Sequence, residues 1–173
     1  YNTMLARVQA EDNPNFFLLA YQRSDYRVQQ LVLVPKHFVT VSMIAPRRNA
    51  LKGRDNYLMC DLDIRELPES GKIPLVTAGK AIDPAHIQKQ WQTHLFLRQQ
   101  KAEKKGWLLA ILHCLDQLPA QFTLAQLYAF SDKLQKQFPD NHHIQAKIRQ
   151  QLQILRDQNL IEFSARGQYR KMA

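Results

Sequence analysis

DNHHIQAKIRQQLQILRDQNLIEFSARGQYR, residues 140–170, is the stretch whose reading decides the fold. Ile144, Ile148, Leu152 and Leu155 recur at i, i+4, i+8 and i+11, the spacing of one buried stripe on an α-helix. At about 100° per residue the opposite face collects His142, His143, Ala146, Arg149, Gln150 and Gln153. Lys147 and Arg156 fall on the flanks. That outer face is rich in long hydrogen-bonding side chains of the kind that reach base edges. Asp140 or Asn141 is placed to cap the helix, just after Phe138-Pro139 ends the preceding element. A hairpin follows: Leu160 to Phe163, a turn through Ala165-Arg166-Gly167, then Gln168-Tyr169-Arg170. Gly167 supplies the positive φ that a short hairpin turn needs. Helix, hairpin and basic tip together predict a winged helix, with the helix in the major groove and the wing across the backbone.

An amphipathic helix with a polar outer face is more often simply a solvated helix, so the neighbouring elements decide. Residues 107–118 (WLLAILHCLDQL) predict a helix apolar on one side through Trp107, Ile111, Cys114, Leu115 and Leu118. Residues 123–136 predict another, opening on the capping-box pattern Thr123-Leu-Ala-Gln126 and repeating Leu124, Leu127, Tyr128, Phe130 and Leu134. Three helices and a wing make a complete small domain in helix-turn-helix order, expected over 106–173.

The chain has 173 residues, 45% of them hydrophobic, enough for one large core or two small ones. Its net charge of +9 points to a polyanionic partner, most often nucleic acid. No run approaches about 18 apolar residues and no signal-peptide pattern is present, which predicts a cytoplasmic chain without membrane contact. Cys60 and Cys114 stand far apart in apolar surroundings, as reduced core residues rather than zinc ligands. The chain opens at Tyr1 without an initiator methionine, as expected of a fragment.

The first half reads as α/β. Residues 2–11 predict the last turns of a helix, with Met4, Leu5 and Val8 on one face. FFLLAY, from Phe16 to Tyr21, is an apolar run too short for a helix and predicts a buried strand. A second strand is expected from Tyr26 to Val34, closed by Pro35, leaving Lys36 and His37 just beyond a buried strand end. A third, Tyr57 to Ile64, and a fourth, Ile73 to Val76, would complete a mixed sheet. Asp83-Pro84 begins a long helix expected to reach about Gln100, with proline in its first turn. QQKAEKKG, residues 99–106, predicts a charged tether and the domain boundary.

NPNFFLLAY, LVLVPKHFVT, MCDLDI and above all HIQAKIRQQLQILRDQNLIEFSARGQYRK resemble the Dam-replacing family of DpnI-like, methyl-directed type II restriction endonucleases, essentially from Tyr1 to Lys171. The resemblance implies an α+β fold: the later part of a PD-(D/E)xK restriction-endonuclease-like core over 1–105, then a winged-helix DNA-binding domain over 106–173. It implies cleavage of double-stranded DNA at GATC carrying N6-methyladenine, with both domains touching DNA, and a monomer. It further implies that the acidic Mg-binding motif, the catalytic lysine and a structural Zn module precede the residues present here. No catalytic residue and no metal ligand are then expected in this chain, which alone should not cut DNA. One half-motif, Glu103-Lys104-Lys105, lies in the polar tether with no buried strand to fix a carboxylate against a metal, and reads as a decoy.

Candidate DNA contacts sort by chemistry. Arg149 suits guanine O6 and N7, Gln150 suits adenine N6 and N7, and small Ala146 lets the helix approach the groove floor. His142, His143, Gln153 and Gln168 complete the expected interface, while Lys147, Arg166 and Arg170 should meet phosphates. Arg47, Arg48, Lys52, Arg54 and Tyr57 form a basic loop between strands, either a solvated loop or a phosphate clamp with an aromatic for stacking on a base. A member of the family has a tryptophan at the Tyr57 position, so a methyl-reading role is not carried over to Tyr57. His86 and His94, eight apart on one helix, and the adjacent His142-His143 pair are not spaced for a shared metal. A non-catalytic winged-helix regulator and a protein-interaction module are the other function classes. A regulator would need a dimerisation helix or effector pocket, and an interaction module has little use for Arg149, Arg166, Arg170 and Lys171 beside one helix.

Overall fold

The computed structural model describes residues 1–47, 53 and 57–172. The chain divides into two compact units, Tyr1–Ala102 and Glu103–Ala173.

The first unit opens with α1 (Asn2–Gln9), then β1 (Phe16–Tyr21) and β2 (Val28–Val34). Two short 3-10 turns, Lys36–Phe38 and Val41–Met43, lead to β3 (Ile44–Pro46) and β4 (Cys60–Leu62). The β5 (Ile73–Thr77) and β6 (Lys80–Ala81) hairpin follows, then α2 (Pro84–Thr93) and a 3-10 segment, Leu95–Gln99. The main sheet runs β1-β2-β5-β6, with Phe16 opposite Val34 and Leu33 opposite Ile73. Its pairings are antiparallel throughout, so the expected mixed sheet is corrected. The strand expected over 57–64 shrinks to β4, which pairs with β3 in a separate two-stranded ribbon instead of joining the sheet. An apolar run shows that a segment is extended but does not show its partner.

FFLLAY also differs from expectation. It forms an edge strand, and Phe17, Leu19 and Tyr21 are each half or more exposed. The buried side of this unit comes from Val34, Phe38, Val39, Ile73 and Leu97. Helix α2 starts as expected: the Asp83 carboxylate accepts from Ala85 N at 2.8 Å and Pro84 occupies the first turn. It stops at Thr93, where the hydroxyl donates back to the Lys89 carbonyl at 2.8 Å. The chain then turns at His94 to bury both His94 and Leu97, which a straight helix to Gln100 would not do.

Gly71 sits where a Cβ would lie 2.7 Å from Phe38 Cδ1 and 2.8 Å from Leu67 Cδ1. Both neighbours are buried and cannot swing aside. Gly71→Ala is therefore expected to lower stability by about 1–3 kcal/mol through overpacking, read by denaturant unfolding of Trp91 fluorescence in a Trp107→Phe background. An unchanged midpoint would mean that the Phe38 ring relaxes freely.

In the second unit, α3 (Ala102–Asp116) is followed by β7 (Gln121–Thr123), α4 (Leu124–Tyr128) and α5 (Ser131–Gln137). Then come α6 (Ile144–Asp157), β8 (Ile161–Ala165) and β9 (Gln168–Lys171). The expected tether is corrected here: residues 102–106 are the first turns of α3. KAEKK consists of strong helix formers, and propensity outweighs its charge. The helix expected over 123–136 is interrupted at Ala129-Phe130, and its two pieces send Leu127 and Leu134, both fully buried, into the core. The Thr123–Gln126 capping box forms as read, with both reciprocal bonds present.

Candidate nucleic-acid interface

The interface is built on α6. Ile144, Ile148, Leu152 and Leu155 form its buried stripe, at 8, 0, 2 and 0% exposure. Gln151 is also fully buried within that stripe. The helix ends in a Schellman motif: Leu160 N–H donates to Leu155 O and Asn159 N–H to Arg156 O, with Asn159 at φ 57°. This ending turns the chain straight into β8. Ala165 pairs with Gln168, leaving Arg166-Gly167 as the tip, and Gly167 has φ 71°.

The wing holds a third strand that the sequence does not announce. β7 pairs with β9, so the wing sheet runs β7-β9-β8. Leu124 N–H also donates to Gly167 O at 2.9 Å, tying the capped start of α4 to the wing tip. Phe122 stacks on Tyr169 at 5.4 Å between centroids, and Phe163 meets Tyr169 edge-on at 5.6 Å. Wing and helices are therefore held at a fixed relative angle, as an element reading a groove and backbone together must be.

Ala146, Arg149, Gln150 and Gln153 are exposed on the outer face of α6. His142 and His143 are exposed too but are not part of the helix. Neither Asp140 nor Asn141 caps α6 directly: His143 occupies the N-cap, and the Asn141 side chain accepts from His143 N at 2.9 Å just ahead of the helix. The two histidines belong to the approach to the helix rather than to its exposed stripe.

The expected phosphate contacts separate. Arg166 stands exposed at the wing tip and makes no ion pair among the described residues. Arg170 pairs with Glu162, directly opposite it on β8, so its charge is compensated. Lys147 folds back, with Nζ 5.8 Å above the Trp107 ring and 3.6 Å from a Glu103 carboxylate oxygen. It braces α6 against α3 instead of reaching outward. Gln168 is exposed at the start of β9.

Arg149 has no carboxylate partner among the described residues. Its Nη1 donates to the Tyr128 hydroxyl at 2.6 Å. Arg149, Leu152, Gln153, Arg156, Phe163 and Tyr169 line a groove of about 220 Å³ between α6 and the wing. Burial pushes the Tyr169 hydroxyl above its ordinary pKa, with Tyr128 adding to the shift and the Arg156 and Arg149 guanidinium groups opposing it. Sequence reasoning places none of Tyr128, Phe163 and Tyr169 at this face. In the sequence Tyr128 stands only as one member of a helical apolar repeat.

In the first unit, Tyr57 is 55% exposed, and Arg47 Nε donates to Asp61 at 2.8 Å beside the β3–β4 ribbon. Arg48, Lys52 and Arg54 lie outside the described residues. His37, just beyond the end of β2, is a core residue, with its ring 5.3 Å from that of Trp91. His94 is likewise packed between Phe38 and Phe96. Cys60 and Cys114 are both thiols.

Two family models match the chain. One, described as the Dam-replacing family, covers residues 1–100, and the other, described as the Dam-replacing HTH domain, covers 103–171. The chain belongs to the Dam-replacing family. Its second unit is accordingly a helix-turn-helix domain, and the broad function of the family's domains is DNA binding and methyl-directed restriction. Among the described residues no group of three or more His, Cys, Asp or Glu side chains is arranged to hold a metal ion. Glu103 lies on the first turn of α3, paired with Lys147, and burial lowers the pKa of Lys105. No helix among the described residues is long and apolar enough to cross a membrane.

Proposed function

We propose that this chain is the DNA-reading portion of a methyl-directed restriction endonuclease, acting as a monomer on double-stranded GATC that carries N6-methyladenine. The observation that carries the proposal is the α6 face: Ala146 in the first turn, then Arg149, Gln150 and Gln153, stand exposed on a helix whose opposite stripe is buried. Such a face presents hydrogen-bonding groups to base edges, and the small residue at its N-terminal end permits close approach there. Arg166 at the wing tip supplies an uncompensated charge for the backbone, and the net charge of +9 supplies the long-range attraction. Phosphodiester hydrolysis, with its Mg-binding carboxylates and a structural Zn module, is assigned to residues other than those described.

The test is binding to methylated, unmethylated and unrelated duplexes over a salt series. Arg149→Ala should weaken specific binding by about 1–3 kcal/mol and relax the sequence preference. Arg166→Ala should weaken all three duplexes alike and reduce the salt slope by about one. Lys147→Ala should act mainly on folding, because its ammonium is committed to Trp107 and Glu103. A specific-to-nonspecific ratio unmoved by Arg149→Ala would refute the groove-facing assignment.

A further inference from the structure

We infer that Tyr128 is a positioning residue for DNA readout, whose hydroxyl holds the Arg149 guanidinium beside the groove between α6 and the wing, ordered before DNA arrives. The inference rests on the DNA-reading role proposed above and specifies how its main reading side chain is prepared.

What distinguishes Arg149 is the kind of partner it has. Arg7, Arg27, Arg47, Arg65, Arg156 and Arg170 each pair with a carboxylate. A carboxylate orders a guanidinium but cancels its charge, and it must be displaced before the arginine can bind a base. Arg149 is held at 2.6 Å by a neutral phenol oxygen instead. It is oriented, yet keeps its full positive charge. The guanidinium carries five N–H donors and this bond engages one of its terminal nitrogens, which leaves donors for a bidentate contact with guanine O6 and N7.

Tyr128 is itself well placed to act as a fixed post. It is half-buried at the end of α4, one residue beyond the fully buried Leu127. The capping box at Thr123 and the Leu124-to-Gly167 hydrogen bond anchor the other end of that helix. Ordering a long side chain in advance removes part of the rotamer entropy that binding would otherwise cost, which favours affinity for the matched base. Because the bond acts on one base-reading group, it should affect discrimination and leave sequence-independent binding alone.

The experiment uses the 173-residue chain, a duplex with fully adenine-methylated GATC and an unrelated duplex of equal length. Tyr128→Phe keeps the ring and removes the hydroxyl. Its specific-to-unrelated affinity ratio should fall about five- to tenfold, the order of one hydrogen bond's net contribution, with unrelated binding within about twofold of wild type. The thermal midpoint should fall by only a few degrees, the effect of about 1 kcal/mol in a small domain. In an Arg149→Ala background the same substitution should cause no further loss, because the arginine it positions is gone. An unchanged ratio, an equal loss in the Arg149→Ala background, or a ratio that rises because the bond had been withholding Arg149 would each overturn the inference. A wild-type chain with no preference for the methylated duplex would overturn the DNA-reading proposal, and this inference with it.

Discussion

Replacing Trp107 with alanine is expected to destabilise the second unit by about 3–5 kcal/mol, a large fraction of what a small domain has to lose. Trp107 is 1% exposed and stacks on Phe138 at 3.9 Å between centroids and 17° between planes. Phe138 caps the C-terminus of α5, where the segment leading into α6 begins, and Lys147 of α6 lies over the same indole. The substitution would therefore open a large cavity and at the same time release two constraints on the reading helix. Denaturant unfolding followed by far-UV circular dichroism should show the loss in helices, while the fluorescence of the one remaining tryptophan, Trp91, should report the first unit unchanged. Trp107→Phe should recover much of the loss, since a ring still faces Phe138. A loss below about 1 kcal/mol would mean that the core collapses around the missing ring.

Much of this second unit is legible in the sequence, because local chemistry and tertiary packing agree there. The stripe Ile144, Ile148, Leu152, Leu155 has one interpretation, and each member is buried. Thr123 with Gln126 and Gly167 at the wing tip are signals whose geometry is set within a few residues. β7 escapes such a reading because three residues, QFT, carry no periodicity; that strand exists only because β9 is there to pair with it. The first unit is less legible for the same reason. FFLLAY is extended, but whether it is central or at an edge depends on strands elsewhere. Residues 99–106 mislead differently: their charge suggests a solvated tether and masks the helix propensity of Ala, Glu and Lys.

The candidate site shows the same division. Exposure of Arg149, Gln150 and Gln153 follows from helix periodicity alone. Which basic residues remain available does not, since ion pairing depends on strand register and on helix crossings. Glu162 cancels Arg170 because the two stand opposite each other in the hairpin, and Lys147 turns inward because α3 presents Trp107 and Glu103. A count of positive residues near one helix therefore overstates the surface open to phosphate: Arg149 and Arg166 are the ones without a carboxylate partner among the described residues, while Lys147, Arg156 and Arg170 each have one.

Acidification should destabilise the first unit well above the pH at which its carboxylates titrate. His94 is 7% exposed, with its ring 5.3 Å from Phe38 and 6.4 Å from Phe96. Burial pushes its pKa down from 6.5 to about 4, and a hydrogen bond with the Gln90 backbone offsets only part of the shift. Between those values the unfolded chain binds a proton that the folded chain refuses. Stability is then fully present above about pH 6.5 and falls as the pH drops toward 4. The slope approaches about 1.4 kcal/mol per pH unit, and the total reaches about 3 kcal/mol. Asp63 adds nothing in this window, because the Arg65 guanidinium holds its carboxyl near 2 and its contribution is lost only below its ordinary value of 3.8. Trp91 is the natural reporter, since its ring lies 5.3 Å from His37 in the same aromatic cluster. Denaturant midpoints followed by Trp91 emission in a Trp107→Phe background should fall across pH 6.5 to 4 in the parent and fall less steeply in His94→Leu. Parallel pH profiles for the two proteins would assign the acid sensitivity to some other group.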